Sequence, residues 1–265
     1  MYKEYWGFAE YPFENLPNPD YLYKSPVHEE ALTRLMYAIE NRKGAAMLTG
    51  EIGCGKTTIS RLLFQRLVKR GYQIALIENP SLEPDEFFRE ILYQLGLEIT
   101  TGTKREMIHQ LNDHLYRNLK AGKSSVIIVD EAQIIENERT FEELRLLLNF
   151  QLNDRFLLSL VLIGQPELRE RIRQIPQLDQ RIAIRYHLTP LDIHEMVRFI
   201  FYRLKKAGAR QNMFSNDAFQ KIYEYTAGTP RMVNNICDLS LLIGCGESAS
   251  LINPNIVERS AHTYA

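Results

Sequence analysis

Three cysteines in 265 residues, Cys54, Cys237 and Cys245, are too few and too oddly numbered for a disulfide framework. No pair of them has metal-site spacing, so they read as the reduced thiols of a cytoplasmic chain. The six histidines form no H-E-x-x-H or finger pattern, and no zinc site is expected. Long hydrophobic runs are also missing. The best of them, such as LLSLVLIG at 157–164, fall far short of the ~20 residues that span a bilayer. The first ten residues, MYKEYWGFAE, lack the charged-then-apolar form of a signal peptide. A cytoplasmic protein without a membrane span is the expectation. Nor does one sign of charge prevail: Lys+Arg total 32 and Asp+Glu 33, a formal net charge of −1. That balance argues against constitutive nucleic-acid binding and leaves only a local basic patch for it. Internal repeats, low-complexity tracts and long linkers are absent.

What is present suits a globular chain of one or two domains, with 45% hydrophobic and 25% charged residues. Residues 1–27 form an arm rich in aromatics and proline, YWGFAEYPFENLPNPDYLYKSP. Its prolines argue against regular structure, and its aromatics argue that it packs on the body. Helices are expected over about 28–42, 55–70, 84–95, 104–121 and 140–152. Short apolar strands are expected at 45–49, 73–78, 125–130 and 157–163, with a fifth at 181–188. Continuously apolar strands alternating with helices indicate an α/β fold, a three-layer parallel sheet covered on both faces. After Pro190 only helices are expected, at about 192–207, 215–226, 229–243 and 253–263. The domains are therefore the arm (1–27), an α/β core (28–190) and a small helical domain (191–265).

The chemistry concentrates in GEIGCGKT at 50–57, which has the spacing G-x-x-x-x-G-K-[ST]. It follows a strand and opens a helix, the context a phosphate-binding P-loop requires. The loop residues Gly50, Glu51, Ile52, Gly53, Cys54 and Gly55 turn successive N–H groups inward, and Lys56, Thr57 and Thr58 open the helix whose positive end faces the same anion. Lys56 is expected to reach the β- and γ-phosphates and Thr57 to hold Mg²⁺. The strand VIIVDE at 126–131 supplies Asp130 as second metal partner and Glu131 to polarise an attacking water. A second carboxylate favours hydrolysis over transfer to a small acceptor. Gln165 ends the fourth strand. If that strand lies between the other two, its amide sits beside the γ-phosphate and orients water; otherwise it is an ordinary polar residue at a strand exit.

These residues in this order resemble the AAA+ ATPases, and more narrowly the ExeA/GspA-like family. The likeness runs through the arm (5–32), LTGEIGCGKTT (48–58), VIIVDEAQ (126–133), LVLIGQPELRE (160–170), QRIAIRYHLTPL (180–191) and AGTPRMVNN (227–235), nearly the whole chain. It implies an ATPase core with P-loop sheet order 5-1-4-3-2 and a C-terminal helical lid, working with ATP and Mg²⁺ as a homo-oligomer that assembles on ATP. Because the matching residues end with the lid, the expectation is a short, soluble member. Arg231 matches the lid arginine of GTPR that contacts the γ-phosphate in cis. Arg181 matches the arginine finger supplied from a neighbouring subunit, with Arg169, Arg171, Arg173 and Arg185 as nearby alternatives. The resemblance also implies adenine bound near Phe13 or Tyr23, set against the reading that the aromatics simply plug the sheet edge. Two functions follow. One is an ATP-driven switch acting on a protein partner of a secretion, pilus or exopolysaccharide-export system. The other is a DNA-binding ATPase that selects targets for a transposase or recombinase, with RERIRQ (169–174) and RLKKAGAR (203–210) as its candidate basic surfaces.

Overall fold

The computed structural model describes residues 2–15, 23–97, 103–153 and 155–264. In chain order its elements are α1 (Tyr2–Tyr5), α2 (Pro26–Glu40), β1 (Ala45–Gly50), α3 (Lys56–Lys69), β2 (Gln73–Ile77), α4 (Pro84–Gln94), α5 (Lys104–Lys120) and β3 (Ser125–Val129). They continue with α6 (Glu138–Leu147), β4 (Leu158–Gly164), α7 (Glu167–Arg173), α8 (Pro176–Asp179), β5 (Ile182–Leu188), α9 (Ile193–Lys206), α10 (Asn216–Thr226), α11 (Pro230–Gly246) and α12 (Pro254–Tyr264). No helix among the described residues is long and apolar enough to cross a membrane.

The chain divides into two compact units. One comprises His28–Glu51 and Lys56–Leu188; the other comprises Met1–Val27, Ile52–Gly55 and Thr189–Ala265.

The first unit is built on five strands in the order β2-β3-β4-β1-β5, all parallel. This is the order 5-1-4-3-2 expected from the resemblance. β1, β3 and β4 are buried along their whole length, as their mostly apolar sequences require of strands covered on both faces; the exceptions, Thr49, Ser125 and Ser159, are small and buried as well. β5 is an edge strand with only β1 beside it, and its burial alternates. Phe87, Ile91, Leu111, Ile127, Leu144 and Leu160 are among the residues of its core. Helix α5 starts on a capping box, in which Thr103 and Glu106 satisfy each other's backbone amides.

The second unit is helical. Met196, Ile200, Phe214, Ile222, Val233 and Leu241 form its core, together with Tyr2, Trp6, Phe8 and Phe13 from the arm. Trp6 Nε1 donates to the carbonyl of Leu241 at 2.9 Å, and Tyr2 donates to Asp238. Asp192 and Ser215 cap α9 and α10 through their side chains.

Several boundaries differ from expectation. The arm carries a short helix, α1, ahead of its first proline, where nothing forbids a helical turn. Part of the arm, 16–22, lies outside the described residues. Helix α6 ends at Leu147 rather than running to 152. There the chain turns at Leu148–Asn149 and Gln151 bridges Phe156, so the leucine periodicity outlasts the helix. Helices α7 and α8 are too short to stand out by periodicity.

Candidate functional site

β1 runs straight into the glycine loop. Gly53 has a φ of +84°, in the left-handed region, and a Cβ added there would lie 2.8 Å from the Cβ of Arg231. The site therefore admits only glycine, for reasons of both conformation and space. The same contact places Arg231: its amide donates to the carbonyl of Gly53 at 3.2 Å, within the helical unit. Local sequence explains that placement. Helix α10 ends at Ala227 in a left-handed turn, and Gly228 follows at φ +74°, where a Cβ would fall 1.8 Å from the carbonyl oxygen of Leu191. Thr229 then stands at the N-terminal boundary of α11 without a side-chain capping bond, and Pro230 occupies its first position, leaving Arg231 in the first turn.

In the sheet unit, Lys56 opens α3 and is only 5% exposed. Its Nζ donates to the carbonyls of Gly50 at 2.8 Å and Glu51 at 3.0 Å, which holds the ammonium inside the arch of the loop. Asp130 follows β3, is 2% exposed, and accepts the Glu131 amide at 2.9 Å. The Thr57 hydroxyl lies near enough to the same carboxyl to favour its charged form. Thr57 and Asp130 are thus adjacent hard oxygen donors. They fit Mg²⁺, which takes one or two protein oxygens and completes its shell with water and phosphate.

Burial pushes the Asp130 carboxyl up to about 6 from 3.8, with the Glu131 charge adding to the rise; the Glu131 amide, the Lys56 charge and the Thr57 hydroxyl oppose it. A carboxyl raised in the folded state contributes stability below its unfolded value and loses it as pH climbs through the folded one. Asp130→Asn is therefore expected to be up to about 3 kcal/mol more stable than the natural chain near pH 7, and to lose that advantage below about pH 4. Urea titrations at the two pH values check this. Equal stability at neutral pH would refute it.

β4 lies between β1 and β3, the condition set for Gln165. Gln165 leaves β4 with its backbone N–H donating to Gln133 Oε1 at 2.9 Å. Gln133 was read in the sequence only as part of VIIVDEAQ. It sits in a single 3-10 turn, Ala132–Ile134, directly after Glu131, and its Nε2 donates to Glu131 Oε2. Glu131 itself has a φ of 50°, uncommon for a residue other than glycine. Strain of this kind gathers at functional sites.

The candidate finger arginines are held differently. Arg171 donates to the Gln133 carbonyl at 2.7 Å and lies 5.0 Å over the Phe141 ring. Arg173 pairs with Glu170 at 2.8 Å and Arg185 with Asp179 at 2.8 Å. Arg181 is half-buried, and its Nη1 has no hydrogen-bond partner among the described residues. In the helical unit, Phe13 packs edge-on to Phe214 with centroids 6.4 Å apart, and Tyr23 donates to Glu195 Oε2 at 3.0 Å.

Set beside known proteins, residues 39–172 match a family described as an AAA domain. General secretion pathway protein A of Aeromonas hydrophila is 43% identical over 246 residues, which is 91% of this chain and 44% of that protein. The chain spans about half the length of the curated relatives it matches: 44%, 64% and 50%. Among solved structures, the Aeropyrum pernix ORC2 protein in its ADPNP–ADP complexes superposes with a TM-score of 0.69 at 18% identity, over 96% of this chain and 72% of that one. Cdc6p from Pyrobaculum aerophilum gives 0.68 at 19% identity, over 92% and 69%. At such identities the structural likeness bears on the fold alone.

Proposed function

The chain belongs to the AAA domain family, and from that premise we propose that it binds and hydrolyses ATP as a molecular switch. The observation that carries the reading is the Thr57–Asp130 pair beside the buried Lys56 at the carboxyl edge of a parallel sheet. Bound ATP with Mg²⁺ supplies the phosphoanhydride bond and the divalent charge. The amides of Gly50 through Thr58 and the Lys56 ammonium bind the phosphates. Thr57 and Asp130 hold the metal, Glu131 accepts a proton from the attacking water, and Gln165 orients that water. Arg231, anchored at Gly53, reports the γ-phosphate to the helical unit, and Arg181 acts on a neighbouring subunit's nucleotide.

The identity to general secretion pathway protein A supports a partner in a secretion system; a pilus or exopolysaccharide-export partner and a cytoplasmic setting are part of the same proposal. The DNA-targeting alternative is less well supported. In its candidate stretch 203–210, Arg203 is buried and donates to the carbonyls of Pro12 at 3.1 Å and Glu14 at 3.0 Å, so that cation serves packing. Salt-dependent DNA binding in the presence of ATP would restore it.

Two measurements test the central reading. Lys56→Ala should weaken binding of a fluorescent ATP analogue by about 10- to 100-fold, the worth of a charge-assisted contact to phosphate. Unchanged affinity would remove the phosphate-binding role. Light scattering should show a larger mass with ATP than with ADP or no nucleotide. One mass in all three states would remove the switch.

A further inference from the structure

The Gln133 carboxamide bridges the carboxylate assigned to the attacking water and the main chain at the end of β4: Nε2 donates to Glu131 Oε2, and Oε1 accepts from the backbone N–H of Gln165 at 2.9 Å. This fixes the orientation of the amide, because the NH₂ end has to face the carboxylate and the carbonyl end the N–H. The backbone is pinned as well, since its carbonyl accepts from Arg171 Nη1 at 2.7 Å while that guanidinium rests on Phe141. Gly164 leaves the space: a Cβ there would come within 2.6 Å of Gln133 Oε1. We propose that Gln133 is a positioning residue for hydrolysis, holding the Glu131 carboxylate by one oxygen so that the other faces the water, and tying it to the main chain at Gln165. The inference rests on Glu131 being the base.

A misplacement of about 1 Å in such a group costs on the order of 100-fold in rate. Gln133→Ala should therefore lower kcat about 10- to 100-fold while ATP affinity stays within about twofold. Gln133→Glu keeps the shape and the acceptor for the Gln165 backbone N–H but replaces the N–H donor to Glu131 with an acceptor oxygen, so its kcat should fall at least as far as that of Gln133→Ala while ATP affinity again stays within about twofold.

Steady-state ATPase assays and analogue binding on the full chain decide the matter. A loss in kcat in both Gln133→Ala and Gln133→Glu at unchanged ATP affinity supports the proposal. If Glu131→Gln is inactive but Gln133→Ala turns over normally, the positioning role falls and the base assignment stands. If Glu131→Gln is active, the base assignment falls and takes the proposal with it. An unchanged kcat in Gln133→Glu marks the contact as structural and overturns the proposal; should Gln133→Ala not fold, Gln133→Glu decides alone.

Discussion

Glu131→Gln is expected to bind ATP as tightly as the natural chain and to hydrolyse it about 10²- to 10⁴-fold more slowly, the usual contribution of a positioned base. An amide has the shape of the carboxylate and can still accept the hydrogen bond from Gln133, so the turn after β3 keeps its form. What it cannot do is take a proton. The substitution has a second readout, because the Glu131 charge is one of the causes that raise the Asp130 carboxyl. With that charge removed, less of the cost of ionising Asp130 remains, and the variant should be no less stable than the natural chain near neutral pH. Phosphate release measured beside thermal unfolding covers both. Full turnover in a variant that binds ATP normally would sink the mechanism.

Arg181→Ala should do something different: leave ATP affinity nearly intact, lower turnover about 10³- to 10⁵-fold, and make the loss recoverable in mixtures. The motive is the contrast among neighbouring arginines. Arg171, Arg173 and Arg185 each have a partner in their own chain, whereas Arg181 keeps a buried nitrogen with no hydrogen-bond partner among the described residues. A buried donor left unmade is destabilising by about 1–3 kcal/mol, so its removal should leave stability unchanged or raise it. Activity of the natural chain should climb more than linearly with its concentration if the site is completed by a neighbour. Arg181→Ala mixed with Glu131→Gln then gives some interfaces with both groups intact, and partial recovery follows. No recovery from mutants proven to co-assemble would make Arg181 structural and return the search to Arg169.

Most of the sheet was legible because burial on both faces makes β1, β3 and β4 apolar on both faces but for small residues such as Ser159, a pattern that needs no tertiary information. The loop was legible for a similar reason, since a glycine spacing between a strand and a helix is a local signal. Strand order is not local, and it came from the resemblance. Gln133 was missed because its role exists only once β4 is laid beside β3, bringing residue 165 to a turn 32 positions earlier. The quartet DEAQ was the one hint, and by itself a glutamine after two acids is an ordinary polar residue. Helix α7 left a fainter trace in Leu168 and Ile172, a buried pair four apart in a charged stretch. The over-long α6 shows the converse, a helical period in leucines that the chain abandons to make a turn.

The helical unit is assembled from chain pieces far apart in sequence, and this bears on the order in which the protein can be made. Tyr2 and Trp6 find their hydrogen-bond partners 236 and 235 residues downstream, at Asp238 and Leu241. Residues 28–51 and 56–188 hold every strand of the sheet and are synthesised before those partners emerge. During synthesis, then, Tyr2, Trp6, Phe8 and Phe13 remain uncovered while the whole sheet is completed. Contacts that close so long a loop form late and slowly, and apolar surface left waiting invites association with other chains. The aromatic arm is thus a segment on which a nascent-chain chaperone has a long time to act.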